Sequence, residues 1–264
     1  MLDKSNKFKI IFIISGSIIV LFILYPIINM IFSTSPLLLF NTLVDKEVIF
    51  SILLTLKCSL IATLFAIIFG IPLSYIFARY NFYGKKIIEA IVDIPVIIPH
   101  SAAGIALLTV WGRDSIFGRI TGLSIVGSEV AIVMAMFFVS ISFFINSVKN
   151  GFKLVDYRYS KVAMTLGATQ FQAFLTVDLP LIKKSIISGV IMMWARGISE
   201  FGAIIILVYH PMVTSILIYD RYECYGLKYA KPVAVLLILI CLVIFIIMRI
   251  IEERGKGDYN KKSK

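Results

Sequence analysis

The sequence predicts an all-α integral membrane protein that crosses the bilayer with six transmembrane helices. Of its 264 residues, 59% are hydrophobic and only 16% are charged, and the mean hydropathy is +0.96. A soluble domain of ordinary composition carries about 25% charged residues. The apolar residues also form continuous blocks, close to the roughly 20 residues that a helix needs to cross about 30 Å of hydrocarbon. Transmembrane strands would instead alternate apolar and polar residues over about ten positions.

Six apolar blocks make residues 1–264 a single transmembrane domain. The first block, Ile10–Phe32, has 23 uncharged residues. It is expected to stay as a helix, because a signal peptide has an apolar region of only about 7–15 residues. The third block contains Pro95 and Pro99, so its inner half is expected to bend or break. The predicted spans are residues 10–32, 48–78, 87–111, 129–148, 184–209 and 231–251, with a cytoplasmic loop over 149–183.

The basic residues lie mostly on one side of the predicted bundle. If the N-terminus is inside, the cytoplasmic segments contain 18 lysines and arginines, against six in the outer segments. This asymmetry orients the protein in the cell membrane with both termini in the cytoplasm. The net charge of +11 therefore reflects topology. Membrane lipid is the expected surrounding, and no nucleic-acid partner is expected.

The loop between the fourth and fifth spans carries the most specific pattern. Apolar residues between Val162 and Ala173 recur at helical spacing, which predicts a short amphipathic helix that Gly167 ends or kinks. Leu179 is expected in an extended conformation ahead of the next helix, because it stands before Pro180. A helix–glycine–helix knuckle with one apolar face suits docking into a groove on a cytosolic protein.

This loop resembles the E-A-A-x-x-x-G-x(9)-I-x-L-P loop in the permeases of binding-protein-dependent ABC importers. Lys161 stands where that family usually has Glu, and Val162 where it has the first Ala, which weakens the match for the contact that the Glu makes with the ATPase. A generic amphipathic interfacial loop is the alternative, which the spans, topology and spacing together disfavour. The expected ATPase-coupling residues are Lys161, Val162, Ala163, Gly167, Val177, Leu179 and Pro180, of which the last five match the pattern.

Two further stretches narrow the resemblance to oxyanion permeases. Asp93–Leu108 resembles the third-span signature of molybdate, tungstate and sulfate permeases, and Trp194–Ala203 resembles their fifth-span A-R-x-x-x-E-F-G-A signature. The Pro-His-Ser sequence at Pro99–Ser101 is most similar to the tungstate/molybdate importers of the archaeal type. The resemblance covers residues 48–251, and a sulfate or thiosulfate permease is the alternative.

The resemblance implies an ABC type I importer permease fold with a cytoplasmic coupling helix. The partners that it implies are a second copy of this chain, two cytosolic ATP-binding subunits and an extracytoplasmic oxyanion-binding protein. The sequence contains no G-x-x-x-x-G-K-[ST] phosphate-binding loop, so ATP and magnesium are expected on the partner subunits. No cofactor is expected in this chain.

Charged residues inside the spans are few, and they are the candidates for a transport path or gate. Arg196 and Glu200 stand four residues apart on one face of the fifth span, near the membrane midplane. They border an anion path or, as the preferred interpretation, form an internal ion pair that fixes helix packing. His100 is expected to donate to a backbone carbonyl freed by Pro99, or to line the anion path beside Ser101.

The sequence offers no constellation for catalysis or for metal binding. His100 and His210 are isolated, and neither a Cys-x-x-Cys motif nor a histidine paired with a nucleophile is present. A membrane-embedded enzyme, such as a lipid-modifying transferase, needs converging acid, base or metal groups, and the spans offer only Arg196 and Glu200. A passive channel is a further alternative, but a passive channel would not need a loop that docks onto a cytosolic protein. A non-catalytic subunit is therefore expected.

Overall fold

The computed structural model describes residues 4–122 and 124–262, with side chains for residues 8–122 and 124–250. Residues 1–3, 123 and 263–264 of the predicted single domain lie outside the described residues. Within the described ranges the regular elements are helices, including one π-helical turn, Phe174–Asp178. The α-helices are α1 Lys4–Phe32, α2 Pro36–Leu43, α3 Lys46–Arg79, α4 Lys85–Ile97, α5 His100–Trp111, α6 Ile116–Thr121, α7 Glu129–Leu154, α8 Arg158–Thr165, α9 Gln170–Ala173, α10 Leu179–Leu181, α11 Lys183–Ile198, α12 Gly202–Leu207, α13 Thr214–Tyr225 and α14 Leu227–Lys262.

Four of these helices are long and apolar enough to cross a membrane, namely α1, α3, α7 and α14. The segments Lys85–Ile97 and His100–Thr121 together suffice for a fifth crossing, but they meet at a bend of 113°. The bend lies at Pro99, one of the two prolines expected to bend or break this span, whereas Pro95 lies inside α4. Ile98 has φ −72° and ψ 147°, because a residue before proline avoids the α conformation. The predicted all-helical membrane fold is confirmed, and the count of six spans stays a prediction.

The predicted fifth span is two helices rather than one. Residues 199–201 separate α11 from α12. Glu200 stabilises this break, because its Oε1 atom accepts the backbone N–H of Ala203 at 2.8 Å and so caps the start of α12. The prediction of one continuous helix over 184–209 is wrong on this point.

Other helices extend beyond the predicted spans. Helix α7 continues to Leu154 rather than ending near 148, and α14 occupies Leu227–Lys262 rather than 231–251. Hydropathy marks where a chain leaves the hydrocarbon, whereas lysine, arginine and glutamate are good helix formers that prolong a helix into water. The cytoplasmic loop predicted over 149–183 consequently begins after Leu154.

Helix α7 is the centre of the bundle and packs between α3 and α11. The contacting faces contain small buried side chains, among them Cys58, Ala62 and Ala66 of α3 and Ala131 and Ala135 of α7. Small residues let helix backbones approach closely, and this van der Waals contact holds helices together where burial in lipid gives no hydrophobic gain.

An ion cluster joins α13 to the start of α3. Arg221 Nη2 lies 2.7 Å from Asp45 Oδ2 and 3.0 Å from Glu47 Oε2. Burial raises the pKa of Asp45, but hydrogen bonds from Arg221 and from the backbone N–H of Glu47 outweigh it, so that this pKa lies below its usual range. The Asp45 carboxylate therefore stays charged at neutral pH and holds α13 against α3.

Helix α5 packs against α12 through two glycines. A Cβ atom at Gly104 would lie 2.9 Å from both the Ala203 carbonyl oxygen and Ile206 Cβ, and one at Gly202 would lie 2.8 Å from His100 Cβ. These distances are shorter than normal contacts, so a side chain at either position would push the helices apart. The glycines thereby bring the first turn of α5 to the break between α11 and α12.

We expect Gly104→Ala to destabilise the protein by about 1–3 kcal/mol, because the added methyl group overlaps backbone atoms that cannot rotate away. Gly16→Ala is the matched control, since no atom lies within 4 Å of its Cβ position and alanine favours the helix. Thermal unfolding in detergent measures both variants. Equal melting temperatures for the two variants would contradict the close packing of α5 on α12.

Candidate functional site

Three candidate path residues meet where α5, α11 and α12 converge. His100 occupies the first turn of α5, Arg196 the last turn of α11, and Glu200 the break before α12. Glu200 Oε2 lies 2.8 Å from His100 Nδ1 and 3.1 Å from Arg196 Nη2. One polar cluster inside the bundle thus contains Arg196, Glu200 and the sequence-distant His100.

Glu200 is buried, with 1% of its side chain exposed, and its oxygens are well supplied with donors. Oε1 accepts the Ala203 N–H, while Oε2 accepts from His100 and Arg196. Its backbone carbonyl also accepts from Ser215 Oγ at 2.8 Å, which links it to α13. A buried carboxylate is tolerated only with such partners, so Glu200 holds four helices in one arrangement.

The imidazole of His100 contacts both the Glu200 carboxylate and the Arg196 guanidinium. Arg196 Nη2 lies 2.7 Å from His100 Nε2 and 2.8 Å from Nδ1. A consistent assignment protonates Nδ1, which donates to Glu200, and leaves Nε2 to accept from Arg196. His100 therefore bonds to side chains, and the expectation that it donates to a backbone carbonyl is wrong.

The cluster has no net charge when the imidazole is neutral. Its accessible part consists of His100 and Arg196, whose side chains are 38% and 23% exposed. Pro99 and Ser101 flank it and are exposed. This arrangement supports the interpretation of Arg196 and Glu200 as an internal ion pair, because the cation is already matched by an anion at 3.1 Å.

The loop predicted to be cytoplasmic forms a helix–glycine–helix knuckle. Gly167 has φ +95°, a left-handed conformation that glycine adopts without strain. The Ala168 N–H reaches the Ala163 carbonyl at 3.1 Å and closes the end of α8. Helix α9 then begins with a capping box between Thr169 and Gln172. Local sequence signals therefore account for the turn.

Leu179 does not have the extended conformation that was expected before Pro180. It is helical, with φ −63° and ψ −46°. The π-helical turn that precedes it shifts the hydrogen bonds, and the Leu179 N–H reaches the Phe174 carbonyl five residues back. Pro180 sits in the first turn of α10, where its missing N–H costs little. The prediction for Leu179 is wrong, and Val177 lies within the π turn.

The surface of the knuckle is apolar where it faces away from the bundle. Val162, Leu166 and Phe171 are 57%, 83% and 68% exposed, whereas Ala173 is buried. Lys161 is exposed as well, and its ammonium group lies 5.6 Å from the ring centre of Tyr157. Three large exposed apolar side chains on a short polar loop are typical of a protein-binding surface.

A buried ion pair that the sequence reasoning missed anchors this knuckle. Arg79 Nη2 lies 3.1 Å from Asp178 Oδ1, and the two side chains are 8% and 1% exposed. Arg79 Nη1 also donates to the Val155 carbonyl at 2.9 Å, and its guanidinium lies 5.1 Å from the ring centre of Tyr157. The available signal was weak: Arg79 is the first charge after the second span, and Asp178 lies inside the loop pattern.

Bent and broken apolar helices surround α7, and the exposed apolar knuckle lies between α7 and α11 in the chain. Residues 70–256 match the family "Binding-protein-dependent transport system inner membrane component", and the chain belongs to this family. The molybdate/tungstate transport system permease protein WtpB of Methanocaldococcus jannaschii is 44% identical over 95% of this chain and 100% of its own length.

Two other similarities bear on substrate and fold. A probable sulfate transport system permease protein cysT of Prototheca wickerhamii is 34% identical over 85% of this chain and 91% of its own length. A solved bacterial ABC transporter that imports the polysaccharide alginate has a chain that superposes with a TM-score of 0.76 at 18% identity, covering 96% of this chain and 97% of that one. The last similarity shows the fold alone.

We expect a strong energetic coupling between Arg196 and Glu200. Arg196→Gln should destabilise the protein by about 2 kcal/mol. This cost is lower than that of breaking a fully buried ion pair, because the guanidinium is partly exposed. The double variant Arg196→Gln/Glu200→Gln should cost at least about 1 kcal/mol less than the sum of the single changes. Titration with SDS in mixed micelles measures these free energies of unfolding, and additive values would contradict the pair.

Proposed function

We propose that this chain is the membrane permease subunit of an ATP-driven importer that carries tungstate or molybdate into the cytoplasm. The observation that carries the proposal is the 44% identity to a molybdate/tungstate permease over the whole length of that relative. The sulfate relative is less similar, at 34% identity. The same fold in an alginate importer fits a general transport scaffold whose cargo is set elsewhere.

The subunit is mechanical rather than catalytic. Two copies enclose the path, two cytosolic ATPases dock on the knuckles, and an extracytoplasmic binding protein supplies the oxyanion. Both termini lie in the cytoplasm, since the basic residues concentrate on that side. The exposed Val162, Leu166 and Phe171 support docking through apolar contact, with Lys161 in place of a carboxylate.

Force enters at the knuckle and reaches the bundle through Arg79 and Asp178. This ion pair connects the end of α3 with the π-helical turn, so a displaced knuckle pulls on a transmembrane helix. Arg79 Nε and Asp178 Oδ2 are buried without a hydrogen-bond partner among the described residues. Unmet hydrogen bonds of this kind are costly, so the pair is suited to rearrangement during the transport cycle.

The polar cluster of His100, Arg196 and Glu200 supports transport without trapping the anion. A divalent oxyanion binds tightly to free guanidinium groups, but Glu200 and His100 already accept from Arg196. The cluster thus offers an approaching anion a weak, partly exposed site. Its main role is to keep the broken helices in register.

Uptake of radiolabelled oxyanion tests the proposed cargo. The permease is reconstituted with its ATPase subunits and its cognate binding protein, and labelled tungstate, molybdate and sulfate are compared. We expect ATP-dependent uptake of tungstate and molybdate. Sulfate uptake that tungstate does not inhibit would overturn the assignment.

We expect Gly167→Ala to weaken the association with the ATPase subunits about five- to tenfold, because alanine disfavours φ +95° and displaces the knuckle. Gly122→Ala is the matched control, since Gly122 also has positive φ and free space around it but ends α6, far from the knuckle in sequence. Co-purification of the ATPase with each variant is the measurement. Equal losses for both variants would exclude a specific role for the knuckle.

A further inference from the structure

Two adjoining cavities lie where α1 ends and α14 begins. The larger, about 780 Å³, is an open groove lined mainly by α1, α13 and α14, and the smaller, about 380 Å³, lies beside it. Both volumes fall within the range of small-molecule sites. Ser33, Leu227 and Lys231 line both cavities, so one is continuous with the other.

The smaller cavity carries positive charge and several hydroxyl groups. Its walls contain Lys228 and Lys231 together with the hydroxyl-bearing Ser33, Thr34 and Ser35, and no acidic residue lines it. Lys231 Nζ donates to Ser33, at 3.0 Å to the carbonyl and 3.2 Å to Oγ. Neither ammonium group forms an ion pair within the part of the chain whose side chains are described, so the cavity attracts an anion.

The larger cavity is apolar over most of its wall. Met30 of α1, Ile218 of α13 and Ala234 of α14 line it, and Lys231 stands at its junction with the smaller cavity. Helix α1 lines one side, although no residue in its most apolar stretch is buried. An apolar space inside a membrane that opens onto two lysines matches a molecule with an anionic head and an apolar tail.

We propose that these cavities bind one anionic phospholipid, with its phosphate between Lys228 and Lys231 and an acyl chain between α1 and α14. The site is separate from oxyanion transport and does not depend on it. The direct contact between α1 and α14 is sparse. The acyl chain of the lipid would therefore help to hold α1 against the rest of the bundle. Ser215 and Phe201 also line the apolar cavity. Ser215 donates to the Glu200 carbonyl, so the lipid would pack against a residue that holds Glu200 in place.

Lipid retention tests this proposal. The complete transporter is placed in nanodiscs of phosphatidylcholine with phosphatidylglycerol as the minor component, extracted gently, and examined by native mass spectrometry. We expect the wild type to retain phosphatidylglycerol. Lys228→Gln/Lys231→Gln should reduce this retention about tenfold or more, since each lysine contributes severalfold. Ala234→Phe should also reduce it, by filling the cavity.

Lys46→Gln is the matched control, because it removes an exposed lysine outside both cavities, and retention should not change. Equal retention in every variant would overturn the proposal. Displacement of phosphatidylglycerol by inorganic phosphate or tungstate, with no effect of Ala234→Phe, would assign the lysines to a small oxyanion instead. Dissociation of the transporter into single permease copies by Ala234→Phe would show that a helix of the second copy fills the cavity.

Discussion

The buried ion pair between Arg79 and Asp178 is the contact on which the position of the knuckle depends. It joins the end of α3 to the π-helical turn, and it brings together residues 99 positions apart. Burying two charges is costly unless each compensates the other. The knuckle can therefore be exposed, apolar and short while its base is fixed to a long membrane helix.

A second constraint applies where α5, α11 and α12 meet. A helix that breaks inside the bundle loses backbone hydrogen bonds, and other groups must replace them. Glu200 caps α12 and accepts from His100 and Arg196, so one carboxylate joins three helix ends. Gly104 and Gly202 permit the close approach that these short bonds require. His100, Arg196 and Glu200 thus serve first to hold the helices together. Because they bond to one another, they offer an anion only a weak binding site.

Much of the fold was predictable from the sequence, because hydropathy and loop signals are local. Long apolar runs identified membrane helices, Pro99 located a break, and Gly167 located the turn of the knuckle. Features set by distant contacts were not predictable. The break at Glu200 depends on partners from α5 and α13, the helical conformation of Leu179 depends on a π turn, and the pairing of Arg79 with Asp178 requires the folded bundle.

The ratio of oxyanion imported to ATP hydrolysed, measured in proteoliposomes that contain the complete transporter, tests whether the Arg79–Asp178 pair transmits force to the membrane helices. Asp178→Asn preserves the size of the side chain while removing its charge, so the ATPases should still bind and hydrolyse ATP. We predict a severalfold lower import per ATP for this variant than for the wild type. An unchanged ratio would contradict this role of the ion pair, because force would then reach the membrane helices without it.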